Sequence, residues 1–366
     1  MDRGKLLFEI VPGPGNPRNS EGSLIRLKDN SILYVYGQFH GDSAGDLAPC
    51  NIAAIRSSDE GLTWSEPKII LRASDFGVTN INSTSLVRLT DGNIGFLFSK
   101  PIGEQGWIRH KYFARSYDEG DTFEDFVECS SEIYDCRSGV NNARLIRLSS
   151  GRLIYPHSIH AGCKKNQEEG KRKRSPTSHT FGNFVFSDDD GLTWRTSEDS
   201  IYMPFNQSNP GLQEGEIIEI APNVLKCFFR TDKAYQYQSV SLDGGDHWSM
   251  PHPSCFTAVC SPITVRKNPY SGKTYAIWNP VPKYNGQVIP KDHSSRAPLA
   301  IAETDGSVSR ILKMDYIHSD LTRSYCYVAP LFLDEKEMLI AYSSGDASAG
   351  EKSMDRLTIS KVDLDF

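Results

Sequence analysis

Residues Ser57–Trp64 read SSDEGLTW, and the same eight-residue pattern recurs three times along the chain. SYDEGDTF begins at Ser116, SDDDGLTW at Ser187 and SLDGGDHW at Ser241, so all four fit S-x-D-x-G-x-(T/H)-(W/F). A fixed pattern at roughly even spacing indicates a structural repeat, because an active site would need the pattern only once. Ser and Asp side chains bind nearby backbone, Gly takes positive φ and the aromatic ring packs over the turn, so each copy, an Asp box, predicts a hairpin turn.

A second pattern precedes the boxes. SLIRLKDNSILYVYG, from Ser23, has two alternating apolar runs around a polar turn, which is typical of a β-hairpin. Equivalent stretches begin at Ser85, Arg144, Glu216, Ser261 and Ala329. Each is followed by a further strand and usually by a box and a fourth strand, and PLAIAETDGS from Pro298 is a degenerate fifth box. Six units of four antiparallel strands, with almost no helical periodicity, predict an all-β six-bladed β-propeller. Since such units cannot bury their faces alone, residues 1–366 are predicted to form one domain.

Composition excludes some partners. The chain of 366 residues has a net charge of −6 and a pI near 5.9, which argues against nucleic acid as the main partner. No apolar stretch approaches the ~20 residues of a membrane span, so no membrane partner is expected. The opening MDRGKLLFEIVPGPG lacks the long apolar run and cleavage site of a signal peptide. We therefore expect a cytoplasmic location.

Two features stand outside the repeats. The segment Lys164–Thr180, KKNQEEGKRKRSPTSHT, is a polar, basic insertion in the third unit. Its composition favours a surface loop, with a lid or a partner-docking loop as the functional alternative. The eight cysteines lack CxxC spacing, which favours free thiols in a reducing compartment.

Repeated Asp boxes on a six-unit β pattern resemble the sialidase (neuraminidase) superfamily of the bacterial-repeat type, over nearly the whole chain. The boxes alone do not indicate activity, because many non-enzymatic propellers carry them. Propellers carry their function on the loops at one end of the central channel, and the boxes are predicted on the opposite turns. The residues that the resemblance implies for chemistry therefore lie between the boxes.

The resemblance implies an acidic residue and two arginines in the later units. LQEGEIIEIAPNVLKCFFR resembles the sialidase segment in which a catalytic Glu precedes a strand ending in a substrate-binding Arg. Glu214 and Arg230 match these positions, and Glu216 and Glu219 are alternatives that lie within the strand. SSRAPLAIAETDG resembles the segment that carries a later binding arginine, which implies Arg296.

A tyrosine nucleophile is implied near the C-terminus. RSYCYVAPLFLDEKEMLIAYSSG resembles the sialidase segment in which leucine-like residues follow the nucleophilic tyrosine at the third and sixth positions. From Tyr325 these positions hold Val328 and Leu331, a better match than the residues counted from Tyr327. The resemblance therefore favours Tyr325 as the nucleophile.

The first unit supplies the implied acid/base and one departure from the family. Sialidases carry an acid/base Asp on the loop that corresponds to GQFHGDSAGDLAPCNIA, where Asp46 is favoured over Asp42. They also open with an Arg-Ile-Pro tripeptide, whose Arg binds the substrate carboxylate. Here the stretch is PRNSEGSLIRL, so Ser20 stands at the Arg position with Glu21 beside it, and Arg18 is near enough to substitute. Glu21 would repel a substrate carboxylate or would bind the hydroxyls of a different glycan.

The resemblance implies an exo-acting, retaining glycoside hydrolase that removes a terminal sialic acid or a related acidic sugar. A neutral phenol avoids the repulsion that a carboxylate nucleophile would meet at an anomeric carbon bearing a carboxylate. Glu214 would activate the tyrosine, Asp46 would supply the proton, and the arginines would bind the acid. The expected partner is a glycan, and no cofactor or metal is implied. The alternatives are a hydrolase of the same fold for another sugar and a non-catalytic glycan-binding propeller.

Overall fold

The computed structural model describes residues 2–102, 108–129, 138–160, 179–204, 207–208, 210–281 and 296–366. These residues form six antiparallel sheets, and the first strand of each sheet packs against the first strands of neighbouring sheets around a central channel. The predicted all-β, six-bladed propeller is therefore confirmed.

The strands are numbered along the chain, and the blades follow one another in the same order. Blade 1 has β2 (Asn19–Arg26), β3 (Ile32–Phe39), β4 (Cys50–Ser57) and β5 (Lys68–Leu71). Blade 2 has β6 (Asn82–Arg88), β7 (Ile94–Ile102), β8 (Ile108–Ser116) and β9 (Glu124–Glu128). Blade 3 has a split inner strand, β10 (Ser138–Gly139) and β11 (Ile146–Arg147), followed by β12 (Leu153–His160), β13 (Thr180–Ser187) and β14 (Arg195–Thr196).

The second half of the ring repeats this order. Blade 4 has β15 (Gln213–Ala221), β16 (Val224–Arg230), β17 (Tyr235–Ser241) and β18 (His252–Thr257). Blade 5 has β19 (Thr264–Lys267), β20 (Thr274–Trp278), β21 (Leu299–Thr304) and β22 (Ile311–His318). Blade 6 has β23 (Arg323–Phe332), β24 (Glu337–Asp346), β25 (Arg356–Asp363) and, as its outer strand, β1 (Gly4–Ile10). Two short 3₁₀ helices lie at Ala73–Phe76 and Ala347–Ala349.

The Asp boxes form the predicted turns between the third and fourth strands of blades 1 to 4. In the first box, Ser57 Oγ accepts the Gly61 amide at 2.8 Å and donates to Asp59 at 2.8 Å. Asp59 also accepts the amide and hydroxyl of Thr63, and Trp64 Nε1 closes the turn on the Gly61 carbonyl at 3.0 Å. Gly61 has φ +86°, which explains the invariant glycine of the pattern. The aspartates of the four boxes therefore form their hydrogen bonds within their own turns.

The hydrophobic core lies between blades. The cluster of Phe96 and Phe98 in blade 2 also contains Val35 and Ile52 of blade 1. The other large clusters join the remaining neighbouring pairs of blades in the same way. A blade therefore buries its faces only against its neighbours, and the single domain stays a prediction.

Three other expectations concern the rest of the chain. Residues 164–178 of the basic insertion lie outside the described residues. The six cysteines that the structure describes are free thiols, at positions 50, 129, 227, 255, 260 and 326. Within the described ranges no helix is long and apolar enough to cross a membrane, and the cytoplasmic location stays a prediction.

Candidate active site

The inner strands of four blades contain a β-bulge near the end of the channel that is opposite the boxes. The strand register shifts between Ser20 and Ser23 in β2, and there are equivalent shifts in β6, β15 and β23. In each bulge one non-glycine residue has positive φ: Glu21 (59°), Ser83 (59°), Glu214 (49°) and Tyr327 (58°). Left-handed backbone at such residues costs about 1–3 kcal/mol and is concentrated at functional sites. The bulges therefore identify this end of the channel as the candidate site.

Glycine makes the first of these bulges sterically allowed. A Cβ atom at Gly22, next to Glu21, would lie 2.1 Å from the Tyr34 ring and 2.5 Å from the Val35 carbonyl oxygen. Only glycine fits where the backbone approaches its neighbours this closely. The local sequence Glu-Gly thus allows the bulge that re-aims the Glu21 side chain.

Tyr327 and Glu214 meet across the channel although 113 residues separate them in the sequence. Tyr327 Oη donates to Glu214 Oε1 at 3.0 Å, and Arg230 Nη1 donates to Glu214 Oε2 at 2.8 Å. Register pairs Arg230, at the end of β16, with Gln213, the neighbour of Glu214. The three side chains form a continuous hydrogen-bonded row of phenol, carboxylate and guanidinium.

The charges in this row favour an ionised glutamate and a neutral phenol. Burial acts to raise the pKa of Glu214, but Arg230, the charge of Arg296 and the hydrogen bond from Tyr327 together outweigh it, so this pKa lies below the ordinary value. The pKa of Tyr327 is raised, first by burial and then by the negative charge of Glu214. Glu214 is thus an ionised carboxylate within hydrogen-bond reach of the Tyr327 hydroxyl, which is the geometry that a general base requires.

Arg296 lies beside the ring of Tyr327. Its guanidinium carbon is 5.1 Å from the centroid of the Tyr327 ring, and Nη1 donates to the Cys326 thiol at 3.0 Å. Arg230 has a matching thiol contact, because its Nε donates to Cys260 Sγ at 3.3 Å. The structure therefore brings the two predicted binding arginines to one tyrosine.

Arg18 reaches the site from the segment before the first bulge. Its guanidinium donates to Glu21 Oε2 at 2.7 Å, to Asp46 Oδ1 at 2.9 Å and to Ser20 Oγ at 2.7 Å. The Arg18 residue is 3% exposed, and its guanidinium lies over the ring of Phe39. Burial raises the pKa of Glu21, Arg18 opposes part of the rise, and the carboxylates of Asp46 and Glu214 add to it. Arg18 is therefore bound to two carboxylates of the protein itself, those of Glu21 and Asp46.

The loop between β3 and β4 places Asp46 beside Arg18, with 64% of its side chain exposed. Asp42 is exposed on the same loop. The contact with Arg18 joins Asp46 to the remainder of the site and favours it over Asp42. In β15, Glu216 is fully buried between Arg144 and Arg266, and Glu219 binds Ser149. These contacts leave Glu214 as the glutamate of this segment that faces the site.

The preference for Tyr325 needs correction. Tyr325 packs in the core between blades 5 and 6, stacked on His318 with ring centroids 5.2 Å apart and close to Tyr342. The hydrogen bond to Glu214 is made by Tyr327. Counting along the motif assumes a regular strand, whereas the register of β23 shifts between Cys326 and Ala329. The bulge turns the Tyr327 side chain toward the channel, and no residue pattern in this segment predicts the bulge.

Sequence reasoning missed Arg109 and its partners. Arg109, in β8, donates to Asn80 Oδ1 at 2.8 Å and to Asn82 Oδ1 at 3.2 Å, and its charge acts on Glu21. Its position at the start of the third strand of blade 2, the same end as the Asp46 loop, was the available signal. In the part of the chain that the structure describes, no three His, Cys, Asp or Glu side chains lie together as metal ligands would.

The sequence model of the BNR repeat-like domain matches residues 96–314, which is more than half of the chain. The chain belongs to the BNR repeat-like domain family. No curated protein matches this BNR repeat-like chain significantly.

Solved structures share the fold of this BNR repeat-like protein at low sequence identity. A protein of unknown function from Dyadobacter fermentans is 15% identical with a TM-score of 0.71, and the match covers 99% of this chain and 100% of that one. The NanB sialidase from Streptococcus pneumoniae is 15% identical with a TM-score of 0.66, over 99% of this chain and 70% of that one. The intramolecular trans-sialidase from Ruminococcus gnavus is 14% identical with a TM-score of 0.68, over 97% of each chain. The resemblance to the sialidase superfamily is thus confirmed for the fold.

Proposed function

We propose that this protein is an exo-acting, retaining glycoside hydrolase that removes a terminal acidic sugar, with Tyr327 as the nucleophile. The observation that carries the proposal is the 3.0 Å hydrogen bond from Tyr327 Oη to Glu214, a carboxylate whose pKa is lowered. A phenol is a weak nucleophile until a base takes its proton, and Glu214 is in position to do so. The role first assigned to Tyr325 therefore passes to Tyr327.

The first half of the reaction would form a covalent glycosyl-tyrosine. Tyr327 Oη attacks the anomeric carbon as its proton passes to Glu214, and the bond to the leaving oxygen breaks. Asp46, in its protonated form, gives its proton to that oxygen. The second half would reverse these roles: Asp46 takes a proton from water and the water oxygen attacks the anomeric carbon. The bond from that carbon to Tyr327 Oη breaks, and Glu214 returns its proton to the phenolate. The two displacements retain the anomeric configuration.

An acidic sugar fits the balance of charge. Arg296 faces the Tyr327 ring, and Arg230 binds Glu214, the hydrogen-bond partner of Tyr327. Guanidinium groups bind carboxylates through paired, charge-assisted hydrogen bonds. Four arginines (18, 109, 230 and 296) share the site with three carboxylates, one of which, Glu21, has a raised pKa. The surplus of positive charge favours an anionic ligand.

The test is hydrolysis of an aryl α-sialoside by wild type, Tyr327→Phe and Tyr325→Phe. We expect wild type to release the phenol, Tyr327→Phe to lose at least about a hundredfold in kcat because the nucleophile is gone, and Tyr325→Phe to stay within about threefold. Tyr325 is the matched control because it is a tyrosine of the same strand with a core environment. Equal losses in both variants would contradict the assignment, and retained activity in Tyr327→Phe would exclude it.

A second candidate is a hydrolase of the same fold that acts on a different terminal sugar. It is supported by the Arg18 network, because an arginine held by Glu21 and Asp46 has fewer donors left for a substrate acid. A panel of aryl glycosides separates the candidates: activity on another glycoside, absent on the sialoside and weakened by Glu21→Gln, would favour this one. Binding of sugars without hydrolysis of any of them would indicate a non-catalytic propeller.

A further inference from the structure

The bulges that carry Glu21 and Tyr327 leave backbone carbonyls without their regular partners in the sheet. A bulged strand locally loses its ladder of hydrogen bonds, and a buried carbonyl without a partner is costly. The bulge of β2 contains the carbonyls of Glu21 and Gly22, and the bulge of β23 contains those of Tyr327 and Val328. The structure must supply donors for these oxygens from elsewhere.

Side chains from other blades supply them. Thr84 Oγ1 donates to the Glu21 carbonyl at 3.1 Å, and Thr264 Oγ1 donates to the Val328 carbonyl at 3.0 Å. The two remaining carbonyls share one donor group, the amide of Asn142 in blade 3. Its Nδ2 donates to the Gly22 carbonyl at 2.6 Å and to the Tyr327 carbonyl at 3.0 Å.

Asn142 thus ties together two segments that are 305 residues apart in the sequence and belong to blades 1 and 6. The residue is 1% exposed, and both hydrogens of its amide are used. The two carbonyls that accept from Asn142 lie at positive-φ backbone: Tyr327 has positive φ itself, and Gly22 directly follows Glu21, which has positive φ. Any rotation of these peptides would break a bond to Asn142 and would also swing the Glu21 or Tyr327 side chain.

We propose that Asn142 is a positioning residue that fixes the aim of Tyr327 at Glu214 by holding the two bulges together. It reaches the reaction only through the backbone, since both of its bonds are to main-chain oxygens. Catalytic groups must be held within a fraction of an ångström, and a misplacement of about 1 Å can cost about a hundredfold in rate. The inference rests on the proposed function for its kinetic consequence but not for its structural one.

The experiment compares Asn142→Ala with Asn268→Ala in the full-length chain. Asn268 is a matched control: it is also fully buried, and its amide also donates to two carbonyls of a neighbouring blade, those of Asp334 and Glu335, but among the turns at the box end. We expect comparable falls in Tm for both variants. Only Asn142→Ala should lose kcat, by about ten- to a hundredfold, with KM changed less than about threefold because the arginines keep their own contacts.

Crystal structures of the two variants provide a second test that does not depend on enzymatic activity. We expect the distance from Tyr327 Oη to Glu214 Oε1 to exceed hydrogen-bond reach in Asn142→Ala and to remain near 3.0 Å in Asn268→Ala. An unchanged distance together with equal kcat values in both variants would overturn the inference. If wild type hydrolyses no glycoside, the proposed function fails and the distance alone decides the role of Asn142. Should Asn142→Ala not fold, Asn142→Ser, too short to span both carbonyls, replaces it with the same expectations.

Discussion

Glu21 and Glu214 occupy equivalent positions in two blades, yet their surroundings raise the pKa of Glu21 and lower the pKa of Glu214. Both lie in inner-strand bulges and both bind an arginine. At Glu214, burial is outweighed by Arg230, Arg296 and the Tyr327 hydroxyl together, so the pKa is lowered. At Glu21, burial outweighs Arg18, which is shared with Asp46, so the pKa is raised. Two carboxylates with separated pKa values can hold different protonation states at one pH, as an acid and a base require.

The raised pKa of Glu21 predicts a pH-dependent effect of Glu21→Gln on stability. A carboxyl group with a raised folded-state pKa loses stability as pH rises from the unfolded pKa through the folded one, and Gln does not titrate. The difference in Tm, variant minus wild type, should therefore be more positive at pH 8 than at pH 4, as measured by thermal unfolding.

Glu119→Gln is the control of opposite sign. Burial acts against ionisation of Glu119, but its hydrogen bonds to Arg88 and Lys28 lower its pKa to about 2. Its stabilisation is complete above the unfolded pKa and is lost as pH falls toward 2, so its Tm difference should be more negative at pH 8 than at pH 4. A flat profile for Glu21→Gln would contradict the assignment of a raised pKa.

Cys260 offers a chemical probe of the same site. This thiol is exposed and lies 3.3 Å from Arg230 Nε. Alkylation by iodoacetamide should add bulk beside Arg230 and lower kcat/KM by about tenfold or more, by the cost of a disturbed binding group. Cys260→Ser should resist inactivation, and peptide mass spectrometry should place the label at Cys260. Inactivation of Cys260→Ser at the wild-type rate would mean that another residue is responsible.

At the scale of the element, turns were predictable and bulges were not. The eight residues of an Asp box contain their own hydrogen-bond partners, such as Ser57, Asp59 and Gly61 in the first box. The same residue types at the same spacing therefore predict the same turn elsewhere in the chain. The bulge at Tyr327 depends on donors from distant blades, such as Asn142, and on a φ value that tyrosine rarely adopts. The sequence therefore located the segment but favoured Tyr325, whereas the structure brings Tyr327 of the same segment to Glu214.

The same contrast applies to the other site residues. The order of the segments led to Glu214, Arg230 and Arg296, which the structure brings together around Tyr327. Arg109 also donates to the Asp46 carbonyl of blade 1, and Asn142 donates to carbonyls of blades 1 and 6. No local sequence pattern predicts such contacts between blades.

Asp189→Ala tests the assignment of the boxes to structure. Asp189 accepts the amide of Thr193 at 2.9 Å and also binds the hydroxyls of Thr193 and Ser187. Loss of these bonds at a partly exposed turn should destabilise the fold by about 1–2 kcal/mol in chemical denaturation. The kcat should stay within about twofold because the turn lies at the opposite end of the channel. A large loss of kcat with unchanged stability would give the boxes a role in catalysis.

At the scale of the whole molecule, the interfaces between blades determine how the chain unfolds. Each large core cluster is shared by two neighbouring blades, so loss of one blade exposes apolar faces of two others. The ring has no free end, since β1 and β25 complete blade 6 together.

We therefore predict a single cooperative thermal transition for residues 1–366. The calorimetric and van't Hoff enthalpies of unfolding should agree, and fluorescence and circular dichroism should give coincident curves. Two resolved transitions would show that groups of blades unfold independently and would contradict the prediction of one domain.

The pairing of β1 with β25 also has a consequence during synthesis. β1 is translated before the other described strands, but Gly4–Ile10 pairs with Leu357–Val362 of β25, the last of them. β1 therefore stays unpaired until β25 has been translated, after all the strands of blades 1 to 5. A ribosome that stalls before β25 holds an open ring, with β1 exposed to proteases and chaperones.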